Sequence, residues 1–174
     1  MTQPHHLLLM RHAKSSWADA SLPDHQRPLN ERGIRSVPLV AGWLLQQGFK
    51  IDLLLCSTAQ RTVETARRLK QSGLLYDDYI ESEKLYLASA SEILAELEAR
   101  TSKKANTVLV IGHNPGLEVL ASILAGQAIN MATAAIAVFE VRLSHPWKVQ
   151  VDSGENRLVS LVKPKDLNPH ADLD

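Results

Sequence analysis

The 174-residue sequence holds a single cysteine, Cys56, and that scarcity excludes an internal disulfide framework. It has no surplus of charge: 19 lysines and arginines meet 19 aspartates and glutamates. No global field therefore draws the chain to nucleic acid or to an anionic membrane, so any anion recognition has to be local. Long apolar runs are also missing. The first apolar stretch, residues 7–10, falls far short of the ~20 residues a membrane span requires. Two histidines stand where a secretory leader carries lysines. There is no internal repeat, low-complexity tract or linker. The expectation is a soluble cytoplasmic protein with one domain over residues 1–174. Its 45% hydrophobic and 22% charged residues are ordinary for a globular chain of that length.

What the sequence does have is alternation of buried strands and amphipathic helices. Residues 5–10, 51–56 and 107–111 are short, nearly continuous apolar runs, as expected of parallel strands covered on both faces. Residues 14–29 are irregular. Asn30 is placed to cap a helix reaching about Gln47, with Pro38 predicting a kink or a later start. Ser57 or Thr58 is placed to cap a second helix to about Gln71. Residues 80–85 suggest a short strand, and residues 91–100 a helix begun by Ser89 or Ser91. Asn114-Pro115 supplies an N-cap and an N1 proline for a helix through Leu124, closed by Gly126. Residues 135–143, 147–151 and 157–162 read as antiparallel strands at an edge. The sum is an α/β three-layer sandwich with a mostly parallel central sheet and antiparallel edge strands near the C-terminus.

Three of the buried strands end on basic or histidine residues. Met10 is followed by Arg11 and His12, "LLLCSTAQRTVETA" brings Arg61 after the second strand, and "VLVIGHNPG" brings His113 after the third. In open parallel sheets ligands bind beyond the carboxyl ends of the strands, so these four side chains can converge there. Arg61 falls in the first turn of a helix, where the macrodipole disfavours a cation by roughly 0.3–1 kcal/mol. A nearby anion reverses that penalty. The candidates are a phosphate in the arginine's fork or, without any ligand, a salt bridge to Glu64. Either histidine alone reads as an ordinary loop residue. Two at equivalent strand ends beside two arginines supply a nucleophile, a proton-handling partner and clamps for phosphoryl oxygens.

The segments "LLLMRHAKSSW", "DHQRPLNERG", "LLLCSTAQRTVETA" and "VLVIGHNPGLEVLA" together resemble the histidine phosphatase superfamily, which has the phosphoglycerate-mutase-like fold. More closely they resemble its small SixA-type phosphohistidine phosphatases. The resemblance covers residues from about 6 to 125. It implies that His12 takes the phosphoryl group while Arg11, Arg61 and His113 hold its oxygens, and it implies no cofactor and no metal. Lys14, Ser16 and Asn114 become candidates for the pocket rim, and Arg27 for substrate contact or for a structural loop role, with Asp24 placed to orient it or another basic group. Two departures stand out. Ala13 replaces the glycine usual after Arg-His, and Leu87 falls where many relatives carry a general-acid glutamate. A protonated phosphohistidine needs such an acid less than a phosphoester does. The expected substrate is therefore phosphohistidine on a phosphotransfer protein. Residues 72–106 are too few for a large lid, which suits an open site. Glu81 and Glu83 are the nearby carboxylates, expected on a solvated face.

Several rivals remain. One is a small-molecule phosphomonoesterase of the same superfamily; another is a phosphoprotein-binding module without turnover. Cys56 and Arg61 suggest a cysteine phosphatase, but four residues separate them where that design needs five, so Cys56 reads as a buried structural thiol. His5, His6, His12, His25 and His113 suggest a metal, but no carboxylate stands at a ligand spacing.

Overall fold

The structure is a computed structural model describing residues 4–145, 147–151 and 154–168. Its centre is a six-stranded sheet in the order β3-β2-β4-β1-β5-β8. Four strands are parallel: β1 (His5–Arg11), β2 (Ile51–Ser57), β3 (Tyr76–Ser82) and β4 (Thr107–Gly112). Strand β5 (Ile136–Val141) runs antiparallel to β1, and β8 (Arg157–Val162) antiparallel to β5. The apolar run in β1 is explained by its two faces. Leu7 and Leu9 enter one core, while Leu8 and Met10 enter the other.

Helices α1 (Glu31–Gln46) and α2 (Gln60–Gln71) cover one face through Val37, Val40, Ala41, Leu44, Ala66 and Leu69. Helices α3 (Ala90–Arg100) and α4 (Gly116–Ala125) cover the other through Ile93, Leu97, Leu117, Leu120, Ala121 and Leu124. The protein is thus an α/β three-layer sandwich with a mostly parallel sheet and antiparallel strands at its C-terminal edge. No helix among the described residues is long and apolar enough to cross a membrane.

Local chemistry sets most of the boundaries. Asn30 caps α1 by accepting from the Gly33 amide at 2.8 Å, and the helix runs on through Pro38. Ser89 and Glu92 form a reciprocal capping box that starts α3. Gly33 has a steric role: a Cβ there would collide with the Lys14 carbonyl oxygen, so only glycine lets the loop after β1 lie on α1.

Four expectations need correction. The expected cap of α2 by Ser57 or Thr58 is not made. Ala59 occupies the N-cap, and both hydroxyls bond to histidines instead. The strand expected at 80–85 lies at Tyr76–Ser82, followed by a 3-10 turn over Glu83–Leu85. It is an edge strand with mostly exposed side chains, so "YDDYIES" carries no buried run to betray it. Pro115, not Asn114, occupies the N-cap of α4, and the Asn114 side chain bonds to Glu118 and to the Met131 carbonyl instead. Of the closing strands, only β5 and β8 join the main sheet. β6 (Leu143–His145) and β7 (Lys148–Val149) pair as a separate ribbon, and a one-turn α5 (Pro164–Leu167) follows β8.

Candidate functional site

The parallel register brings the strand ends together. Arg11 pairs with Gly112, so His12 emerges beside His113, with ring centroids 5.2 Å apart. The His12 amide donates to the Gly112 carbonyl at 3.1 Å, and the Ala13 amide to Thr65 Oγ1 at 3.1 Å. Thr65 in turn donates to the Arg61 carbonyl one helical turn back, which ties the loop after β1 to α2. These bonds fix the His12 backbone on both sides.

Each histidine has a defined tautomer. His12 Nδ1–H donates to the Ala13 carbonyl at 2.7 Å, leaving Nε2 with its lone pair 3.3 Å from Arg61 Nε–H. His113 receives Arg61 Nη2–H on Nδ1 at 3.3 Å, so its Nε2–H donates to Ser57 Oγ at 2.7 Å. Both rings are buried. Burial, with Arg61 and Arg11 adding to it, lowers the His12 pKa to about 4, against a raising pull from the Ala13 carbonyl. Burial, then His12 and Arg61, lowers that of His113 to about 3. Both imidazoles are neutral at pH 7, and His12 Nε2 is available as a base or nucleophile.

Arg61 is buried at the centre of the group and is held from behind. Its Nη1 donates to the Asp24 carbonyl at 2.6 Å, and its Nη2 to Asp24 Oδ2 at 3.0 Å. Asp24, in a 3-10 turn over Asp24–Gln26, also accepts from Tyr86 Oη at 2.7 Å and from Arg27 Nη1 at 2.8 Å. The Tyr86 hydroxyl and the two arginines lower its carboxyl pKa to about 2. This carboxylate supplies the negative charge that a cation in the first turn of α2 requires. Glu64 does not, because its oxygens accept from the Leu29 amide and from Gln60. The contacts from Arg61 to the two rings are long, and oxyanion oxygens can replace them without dislodging the guanidinium.

Arg11 completes the cluster on the far side. Nη1 donates to the Met131 carbonyl at 3.0 Å, while Nε is buried without a partner. Asn114 donates to the same carbonyl and to Glu118 Oε2, which also accepts from the Met131 amide. Asn114 therefore steadies the loop that holds Arg11.

The other rim candidates are placed differently. All three donor groups of Arg27 are occupied, by Ser16 O, Asp24 Oδ1 and Ser15 Oγ, and its guanidinium lies 3.2 Å over the Trp17 ring. Arg27 is thus a brace for the loop and for Asp24. Ser16 Oγ accepts from the Ala18 amide, and Lys14 lines a neighbouring cavity. Sequence reasoning missed Ser57, Thr65, Tyr86 and Glu118. Thr65 and Glu118 carry a signal, each lying four residues after the site residue it bonds, Arg61 and Asn114; Ser57 and Tyr86 are joined only by the fold. Cys56 is buried, donates to the Ser57 carbonyl and has its pKa raised by burial to about 12. It cannot serve as a thiolate at neutral pH. Glu81 lies on the edge strand β3, hydrogen-bonded by Tyr79. Among the described residues no three histidine, cysteine or carboxylate side chains gather as a metal would need.

The histidine phosphatase superfamily (branch 1) matches residues 7–86, the stretch carrying Arg11, His12 and Arg61. An uncharacterized protein of Mycobacterium tuberculosis is 39% identical over 128 residues, 74% of this chain and 76% of its own. The chain belongs to the histidine phosphatase superfamily. Among solved structures, a candidate SixA phosphohistidine phosphatase from Nakamurella multipartitia superposes with a TM-score of 0.79 at 27% identity, over 94% of this chain and 98% of its own. The protein histidine phosphatase SixA complexed with tungstate gives 0.77 at 25%, over 93% and 99%. A mycobacterial glucosyl-3-phosphoglycerate phosphatase, at 14% identity and a TM-score of 0.59 over 90% and 98%, shares the fold alone. As a superfamily member with SixA-like neighbours, the protein is a phosphatase.

Proposed function

We propose that the protein hydrolyses phosphohistidine on a protein partner by way of a phosphoryl group carried on His12. The observation that carries this reading is the His12 ring itself. Its Nδ1–H is committed to the Ala13 carbonyl, and its Nε2 lone pair is neutral, buried and flanked by Arg61 and His113. In the first step Nε2 attacks phosphorus, and the P–N bond to the substrate imidazole breaks. Its electron pair stays on that nitrogen, and because the substrate ring carries a proton on its other nitrogen it leaves as neutral imidazole. Water then attacks phosphorus and the P–Nε2 bond breaks. The P–Nε2 electron pair returns to Nε2, phosphate departs as dihydrogen phosphate carrying the water's oxygen and both its protons, and His12 returns to its Nδ1–H form.

Arg61 and Arg11 face the position where the phosphoryl oxygens gather. Such donors, fixed before the reaction, stabilise the transition state without reorganising during it. Asp24 stays ionised because of Tyr86 and the two arginines, so it clamps Arg61 and cannot act as the general acid. Leu87 is exposed and offers no proton. A leaving group that departs without needing an acid suits this site, and this favours phosphohistidine over an alkyl phosphate. The fold similarity to a sugar-phosphate phosphatase keeps a small phosphoester as the competing substrate.

The test compares kcat/KM on a phosphohistidine-containing phosphotransfer protein with that on sugar phosphates. Preference for the phosphohistidine protein is expected; faster turnover of sugar phosphates overturns the substrate assignment while leaving the His12 chemistry intact.

A further inference from the structure

A second cluster of cations lies at the same end of the sheet, outside the His12 pocket. Lys14, Arg32, Lys163 and Lys165 line one cavity of about 290 Å³, together with Asn130 and Thr133. Among the described residues no carboxylate lines it. Among the described residues none of the four cations pairs with an acidic group. In a chain whose charges balance at 19 against 19, four unpaired cations around one cavity form a concentrated local field. Asp166, beside Lys165, accepts from the Lys163 backbone amide at 3.1 Å and pairs with none of the four side chains, so their mutual repulsion costs free energy that a bound anion returns.

The walls come from four separate parts of the chain. Lys14 follows His12 on the loop after β1, Arg32 lies in the first turn of α1, and residues 130–133 precede β5. Lys163 and Lys165 flank Pro164 at the end of β8. The cavity is therefore a concave recess rather than a stripe along a surface, and it suits a compact ligand better than an extended chain. Its size falls at the lower end of small-molecule sites, which span roughly 300–1,000 Å³.

We propose that this cavity binds a small polyanion, a free molecule carrying several phosphate or carboxylate charges, at a site separate from the phosphoryl pocket. Lys14 and residues 130–133 also connect the two sites. The Lys14 segment carries His12, and Met131 within the second segment accepts Arg11. An occupant therefore rests on both loops that set the phosphoryl pocket.

The test measures inorganic pyrophosphate binding by calorimetry, with far-ultraviolet circular dichroism confirming that each variant folds. The Lys163→Ala/Lys165→Ala double variant is expected to weaken the cavity's site by about tenfold or more, because charge-assisted contacts to two ammonium groups are lost. Lys103→Ala/Lys104→Ala removes the same charge elsewhere and is expected to leave binding unchanged. Arg61→Ala removes only binding at the phosphoryl pocket and separates the two sites. The proposal is overturned if wild-type protein binds no pyrophosphate, if the two lysine double variants behave alike, or if Arg61→Ala alone abolishes all binding.

Discussion

Two cation clusters stand side by side at the carboxyl end of this sheet, and they are built on opposite principles. Around His12 the chain supplies its own counter-charge. Asp24 holds Arg61 and Arg27, Tyr86 holds Asp24, and Thr65 and the Ala13 carbonyl hold the histidine segment. Around Lys14 and Lys163 no carboxylate of the described residues lines the cavity, and Asp166 accepts from the Lys163 backbone amide rather than from an ammonium group. The first cluster is preorganised, with donors aimed before a ligand arrives, as chemistry requires. The second is a field without a fixed geometry, which is enough for binding but not for catalysis. Charge alone does not separate a reactive site from a receptive one; the carboxylate behind the arginine does.

Breaking the braced cluster has the largest expected effect. Arg61→Ala removes the central donor and is expected to lower kcat by about 10²–10³-fold, the range for losing one preorganised oxyanion donor. Steady-state kinetics reads this directly. Lys163→Ala/Lys165→Ala, which removes two cations from the other cluster, is expected to leave kcat within about twofold, as for substitutions remote from the chemistry. A comparable loss in both variants would erase the distinction between them.

Asp24→Asn sharpens the contrast by keeping the shape and removing the charge. With one charge-assisted anchor weakened, kcat is expected to fall by about tenfold while the fold persists. An unchanged kcat would mean that the carboxylate does not hold Arg61 in place.

The pH dependence gives a smaller and more graded test. His12 is competent when neutral, and its folded pKa near 4 lies below the ordinary 6.5. The acid limb of kcat/KM is therefore expected near pH 4 rather than 6.5. Stability follows the same sign. Between pH 6.5 and about 4 the unfolded chain binds protons that the folded His12 and His113 refuse, so acidification destabilises the protein across that window. Thermal unfolding at stepped pH measures this decline. Cys56→Ser is expected to leave kcat unchanged, since the thiol is buried and protonated.

Much of this was legible in the sequence where burial wrote it. Strands β1, β2 and β4 are apolar because both faces are covered, and each runs straight into a site residue, so Arg11, His12, Arg61 and His113 could be picked out together. Strand β3 is hard to place from sequence because an edge strand has little to bury, and Asp77, Asp78 and Glu81 disguise it. Ser57 and Thr58 looked like helix caps because local rules cannot know that histidines from distant segments reach their hydroxyls. The sequence offers Asp24 as a partner for Arg27 or another basic group without saying which. Its bond to Arg61 spans 37 residues, and nothing in the spacing announces it. Glu64, three residues from Arg61, is the nearer carboxylate in sequence and is spent on the Leu29 amide instead.

The central claim is that His12 Nε2 carries the phosphoryl group. Brief reaction with a labelled phosphodonor, a rapid quench and peptide mapping test it most directly. Acid-labile, base-stable label is expected on His12 and absent from a folded His12→Ala variant. Label that persists in His12→Ala, or turnover by that variant at the wild-type rate, would contradict it.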